Sequence, residues 1–203
     1  MIKGTKTGIL GGTFDPVHLG HLIIAEEARE RLGLRQVIFV PAGQPWMKHR
    51  AITPAPDRLA MLRLALEDNP AFALSGIELE RPGLSYTAET LARLAAEMPG
   101  EKLFFFLGWD ALEGLPRWKD PGKVLALAEI VAFPRADSPA PDFSRMEALL
   151  PGLGKRLHPM EGPLVQISST EVRRRVREGL SIRYLVPRPV EEYILGKGLY
   201  KQG

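Results

Sequence analysis

The chain contains no cysteine, which excludes a disulfide framework, a thiolate metal centre and a cysteine nucleophile. Long apolar runs are missing too: none approaches the roughly 20 residues that span a bilayer, and no basic segment leads into an apolar stretch near the N-terminus. A cytoplasmic protein with no membrane partner is expected. Neither sign of charge dominates, since 27 basic and 24 acidic residues leave +3. So mild an excess suits an anionic small molecule better than a duplex, and no long basic stripe with interleaved aromatics offers a nucleic-acid surface. The chain also lacks the G-K-[ST] ending of a P-loop and the G-x-G-x-x-G of a dinucleotide fold, so neither familiar phosphate loop is present.

What is present is an alternation of β-rich and helical segments over 203 residues, long enough for one sizeable core. Lys6 to Leu10 and Gln36 to Pro41 read as strands, and between them Leu22, Ala25, Ala28 and Leu32 recur at helical spacing, with Gly33 where a C-cap is expected. Pro56 to Glu67 and Ser85 to Met98 read as helices, Phe72 to Arg81 as one or two short strands. Lys102 to Leu107, Glu129 to Pro134 and Leu164 to Ile167 complete the strands. Residues 135 to 163, rich in proline, read as a surface segment with one short helix, and the C-terminus as a turn followed by a helix opened by Pro189. The fold class expected is α/β: a Rossmann-like, doubly wound parallel sheet with helices on both faces. It forms a single domain over residues 1–203, with a C-terminal helical part from about residue 168 packed on it.

Three motifs follow strands, where such sheets bind ligands. The first, G-I-L-G-G-T-F-D-P-V-H-L-G-H at residues 8 to 21, carries Gly11, Gly12, Thr13 and Phe14 into a turn, and then His18 and His21 at the start of a helix. Three residues apart, the histidines share a helix face, and a helix N-terminus attracts anions. Gly11 and Gly12 let a backbone approach a phosphate and tolerate positive φ. No third zinc-type ligand stands nearby, so no protein metal site is expected. The second motif is G-W-D, Gly108 to Asp110. The third, I-S-S-T-E-V-R-R-R from Ile167, combines Ser168, Ser169 and Thr170, able to cap a helix and bind an anion, with Arg173, whose planar fork matches phosphate oxygens. An ordinary cap with a solvated basic face is the alternative for this third motif. Val172 and Val176 mark its buried side.

The first and third motifs resemble those of the nucleotidyltransferase superfamily, and the segments between them narrow the resemblance to bacterial nicotinate mononucleotide adenylyltransferases. These segments are the loop ending in Lys48, D-R-L-A-M from Asp57, E-R-P-G-L-S-Y-T-A-E-T-L from Glu80, G-W-D, Trp118, and the closing Y-L-V-P and V-E-E-Y-I. The similarity spans nearly the whole chain, and S-Y-T-A-E-T-L is its specific part. It implies transfer of the adenylyl group of ATP to nicotinate mononucleotide, giving nicotinate adenine dinucleotide and pyrophosphate, a step of NAD biosynthesis, with Mg2+ carried mainly by the ATP phosphates and water.

On this resemblance His18, His21 and Arg173 are catalytic. The ATP site comprises Gly11, Gly12, Thr13, Phe14, His18, His21, Gly108, Asp110 (for the ribose), Ile167, Ser168, Ser169, Thr170 and Arg173. Lys48, backbone N–H groups near Tyr86 and Thr87, and Trp118 would take the mononucleotide. The chain departs from the family's P-P-H-K in having Pro45-Trp46-Met47-Lys48, and His49 is no substitute for the missing histidine. Trp109 stands where a small residue is frequent. Two other readings compete: phosphopantetheine adenylyltransferase, which shares the phosphate motifs, and a nucleotide-binding regulatory module without turnover. Oligomeric state is left open, a homo-oligomer included.

Overall fold

Alternate residues of each central strand are apolar on both faces, which is what a sheet covered on both sides requires. In β1 (Lys6–Gly12), Ile9 faces one cluster of buried side chains and Leu10 the other. The same alternation separates Val37 and Phe39 from Ile38 and Val40 in β2 (Gln36–Pro41), and Phe104 and Phe106 from Phe105 and Leu107 in β6 (Lys102–Gly108). In the computed structural model, which describes residues 5–45, 52–81, 83–134, 139–161 and 166–201, these strands lie in one six-stranded parallel sheet. It also contains β4 (Phe72–Leu74), β7 (Ala128–Phe133) and β8 (Leu157–Pro159), in the order β4-β2-β1-β6-β7-β8. All five pairings are parallel. A small second sheet pairs β3 (Gln44–Pro45) with β5 (Leu84–Ser85).

One face is covered by α1 (Leu19–Leu32), α2 (Ala55–Leu66), α7 (Ser169–Arg177) and α8 (Arg188–Lys197), through Ala25, Ala28, Met61, Leu62, Val172, Val176, Val190 and Ile194. The other is covered by α3 (Thr87–Glu97), α4 (Trp109–Gly114), α5 (Pro121–Leu127) and α6 (Phe143–Leu149), through Leu91, Leu94, Leu112, Val124 and Met146. This is the doubly wound α/β fold expected, with the C-terminal helices on the same sheet. Gly33 closes α1 at φ 61°, the left-handed C-cap that glycine favours.

The sixth strand differs from expectation. It is β8, inside the stretch read as surface segment, whereas Gln166 and Ile167 are not strand and Leu164 and Val165 lie outside the described residues. A strand of three residues, L-H-P, carries too little periodicity to be seen in sequence. Phe72 to Arg81 contributes only β4, its second half turning back through Ile77 to Glu80. Strand order reverses between β1 and β6, so the first motif and G-W-D flank the switch point where open α/β sheets bind ligands. Among the described residues no helix is long and apolar enough to cross a membrane.

Candidate active site

Gly12 ends β1, and the next six residues form the turn that delivers both histidines. His18 is the N-cap of α1 with extended backbone (φ −144°, ψ 167°), and its N–H donates to Nδ1 of His21 at 3.2 Å. The two imidazoles stack with ring centroids 3.7 Å apart, and the edge of Phe14 meets His21 at 5.0 Å. Phe14 is buried in the core against Phe39 and has φ 50°. Its side chain therefore supports His21 from beneath instead of facing a nucleotide. The positive φ of the turn falls here, whereas Gly11 and Gly12, which would tolerate it, are extended strand residues without it. A Cβ on Gly12 would lie 3.0 Å from the Phe14 ring, so a side chain there would require that ring to give by a few tenths of an ångström.

The turn is held from several directions. Arg58, buried in α2, donates from Nη1 to the carbonyls of Thr13 and Ala42, both at 2.9 Å, and from Nε to Thr53 O at 3.0 Å. Burial lowers its pKa, an effect that Asp15 opposes. From the third motif, Ser169 Oγ donates to Pro16 O at 2.8 Å, and Arg173 donates to Asp15 O at 2.6 Å and to Thr170 Oγ1 at 3.1 Å. Ser168 caps α7, its Oγ accepting from Glu171 N at 3.1 Å. From the C-terminus, the Tyr200 hydroxyl donates to Asp15 Oδ1 at 2.9 Å, and burial drives its pKa far above the ordinary tyrosine value. Arg174 pairs with Glu171 and Glu178, as a solvated basic face would.

Two cavities open at this edge of the sheet. The first, about 260 Å³, is lined by Gly11, His18, His21, Gly108, Asp110 and Ile167, with Phe133 and Pro134 also in its wall. The second, about 240 Å³, takes Gly12, Thr13, Thr87 and Trp118. Gly11, Leu107 and Ala111 line both, so the cavities adjoin. Trp118 is half-buried, its ring edge-on to Phe105. Tyr86 N-caps α3, and Lys119 Nζ lies 4.1 Å from its ring centroid. The first N–H groups of α3, those of Thr87 among them, precede the first intrahelical bonds, which run from Glu89 and Thr90 to Tyr86 O.

The structure thus brings the histidine pair, Gly108, Asp110 and Ile167 to one cavity and Thr87 and Trp118 to the next. Ser168, Ser169, Thr170 and Arg173 stand behind the Asp15–Pro16 turn. Lys48 and His49 lie outside the described residues. Glu78, Ser85 and Thr90 also line the second cavity, and sequence reasoning gave none of them a role. Their signal is weak, since a Ser or Thr beside a helix start reads as a cap.

A cytidylyltransferase-like family model matches residues 9–175. "Probable nicotinate-nucleotide adenylyltransferase" proteins from Dehalococcoides mccartyi and Thermomicrobium roseum are similar across nearly their whole length. The first is 47% identical over 197 residues, 96% of this chain and 97% of that protein. The second is 46% identical over 200 residues, 97% and 92% respectively. A solved structure of Plasmodium falciparum nicotinic acid mononucleotide adenylyltransferase complexed with NaAD superposes with a TM-score of 0.81 at 17% identity, covering 98% of both chains, a likeness of fold. With matches over this much of its length, the chain belongs to the cytidylyltransferase-like family and, within it, to the nicotinate-nucleotide adenylyltransferases.

Proposed function

We propose that the chain transfers the adenylyl group of ATP to nicotinate mononucleotide, releasing pyrophosphate and forming nicotinate adenine dinucleotide. The observation that carries this reading is the pair of adjoining cavities, with the stacked histidines in the first and Trp118 in the second. A dinucleotide product needs two mononucleotide-sized spaces that meet at one phosphorus, and Gly11, Leu107 and Ala111 are where these spaces meet.

In this reading ATP occupies the first cavity, with Asp110 accepting hydrogen bonds from ribose hydroxyls. A phosphate oxygen of the mononucleotide attacks the α-phosphorus, a new P–O bond forms, and the bond to the β-phosphate oxygen breaks. The attacking oxygen is already anionic, so no general base is needed and catalysis rests on positioning and charge stabilisation. His18 and His21 bind the phosphates around the α-phosphorus. Arg173 and the Ser168–Thr170 turn draw the departing pyrophosphate toward the N-terminus of α7. In the second cavity Trp118 stacks on the pyridine ring and N–H groups at the start of α3 receive the carboxylate. Lys48, outside the described residues, is assigned to the mononucleotide phosphate on the family resemblance alone. Mg2+ would arrive with the nucleotide, held mainly by the triphosphate and water, and would supply neutralisation of phosphate charge.

The test is pyrophosphate release from MgATP with nicotinate mononucleotide, nicotinamide mononucleotide or phosphopantetheine as acceptor. Preference for the acid mononucleotide is expected. Preference for the amide would keep the reaction and remove the carboxylate assignment, and activity with phosphopantetheine alone would overturn the acceptor.

A further inference from the structure

The second cavity contains a charge that the adenylyl-transfer reading does not use. Its walls are apolar through Ile9, Val40, Leu91, Phe105 and Trp118, and its other polar side chains, those of Thr13, Ser85, Thr87 and Thr90, are neutral. Among the described residues that line it, Glu78 alone is ionic.

The placement of Glu78 is built into the fold. A Cβ on Gly43 would lie 2.4 Å from the Glu78 carbonyl oxygen, so Glu78's backbone packs directly on bare glycine, whose N–H donates to Ser85 Oγ at 3.2 Å. At the other end of the side chain, the hydroxyl of buried Thr90 donates to Glu78 Oε1 at 2.7 Å. Neighbouring acids each have a cation: Glu80 has Arg93 at 4.0 Å, and Glu89 has Arg81 at 2.5 Å and Lys119 at 2.9 Å. Among the described residues no basic side chain pairs with Glu78. A carboxylate oriented by one neutral donor in an apolar cavity is strongly stabilised by a cation brought by the ligand. Trp118 on the same cavity favours a flat cation over its face.

We propose that Glu78 is the counter-charge for the positively charged ring nitrogen of the pyridine mononucleotide, and that it selects the oxidised pyridinium ring over a neutral one. The proposal rests on the assignment of the second cavity to that mononucleotide. Thr90 is the positioning residue that aims the carboxylate.

The experiment is calorimetric titration of wild type, Glu78→Gln, Glu78→Asp and Thr90→Val with nicotinate mononucleotide and with its 1,4-dihydro form. Phosphate, sugar and carboxylate are common to both ligands, so the ratio of their affinities isolates the ring charge. Wild type should bind the pyridinium form at least about tenfold more tightly than the dihydro form. Glu78→Gln should lose about tenfold on the pyridinium form and stay within about twofold on the other. Glu78→Asp should keep most of the preference, and Thr90→Val should reduce it by less than the glutamine does. Equal weakening of both ligands in Glu78→Gln would make Glu78 a sugar-binding group and overturn the proposal, as would no weakening. Should the glutamine variant not fold, the aspartate and valine variants decide by the same ratio. Wild-type protein that binds neither mononucleotide but takes phosphopantetheine would instead refute the cavity assignment itself.

Discussion

The two edges of the same parallel sheet treat charge in opposite ways. At the amino edge, carboxylates are enclosed by donors from the protein. Glu101 accepts from Thr7 at 2.6 Å and pairs with Arg35 at 3.0 Å, while Glu129 takes Lys102 at 3.1 Å, Arg156 at 3.4 Å and His158 at 2.9 Å. Burial by itself would raise both carboxyl pKa values, but these bonds hold them below the ordinary value of 4.5. At the carboxyl edge, His18, His21, Asp110 and Glu78 line open cavities. One edge pairs its carboxylates within the fold and stabilises it. The other sets polar groups along cavities, where the proposed substrates would lie.

The contrast is tested most severely at the histidine pair. His18→Ala should lower turnover at least about tenfold, through loss of a group aimed at transition-state charge, with the melting temperature changed by only a few degrees. Unchanged turnover would remove His18 from the active site. Trp118→Ala should raise the mononucleotide KM about tenfold through lost ring stacking, leaving the ATP KM in place. A change confined to ATP would instead reassign the second cavity.

The amino edge should give the reverse pattern. Glu129→Gln should cost about 1–2 kcal/mol of stability, because it weakens a hydrogen-bonded charge cluster, and leave kcat and both KM values alone. The depressed pKa values of Glu101 and Glu129 also give a pH signature. Their stabilisation is fully present above the unfolded carboxylate pKa and is lost as pH falls through the lower folded values. Urea midpoints of wild type should therefore fall steadily below about pH 4.5, and Glu101→Gln/Glu129→Gln should flatten that slope. An unaltered slope would place the acid-sensitive groups elsewhere.

The two edges were unequally legible in the sequence. Apolar runs flanked by glycine and helical periodicity disclosed β1, β2 and β6, and Gly33 and Val172 carry local signals that tertiary packing preserved. The histidine pair was legible because a three-residue spacing fixes a common helix face. The rest depends on contacts distant in sequence. Phe14 stands beside glycines and looks ligand-facing, yet the turn drives its ring into the core. Asp57 and Arg58 open α2 as an acid and a base of undecided role. Only the fold shows Arg58 bonding the carbonyls after β1 and β2, and Asp57 accepting from Tyr193 at 2.8 Å. Glu129 is 29 residues from His158 and Glu78 is 12 from Thr90, and neither pairing has a local pattern.

Asp15 is where the two treatments of charge meet, since it is buried like Glu129 but supports the turn that presents His18. The Tyr200 hydroxyl donates to its side chain and Arg173 to its carbonyl, tying the C-terminus and α7 to that turn. With its pKa pushed far up, Tyr200 keeps its proton at any working pH and remains a donor. Tyr200→Phe removes the hydroxyl that bonds Asp15 and Thr53 while retaining the ring, so it should cost about 1–2 kcal/mol of stability. If Asp15 acts only as a fold element, kcat will not change. If the turn must be held in place for His18 to reach phosphate, kcat will fall a few-fold with both KM values unchanged, because a small misplacement of a positioned group is felt in the transition state. The second pattern is expected. A rise in the ATP KM alone would mean that Tyr200 shapes the nucleotide cavity instead of the turn.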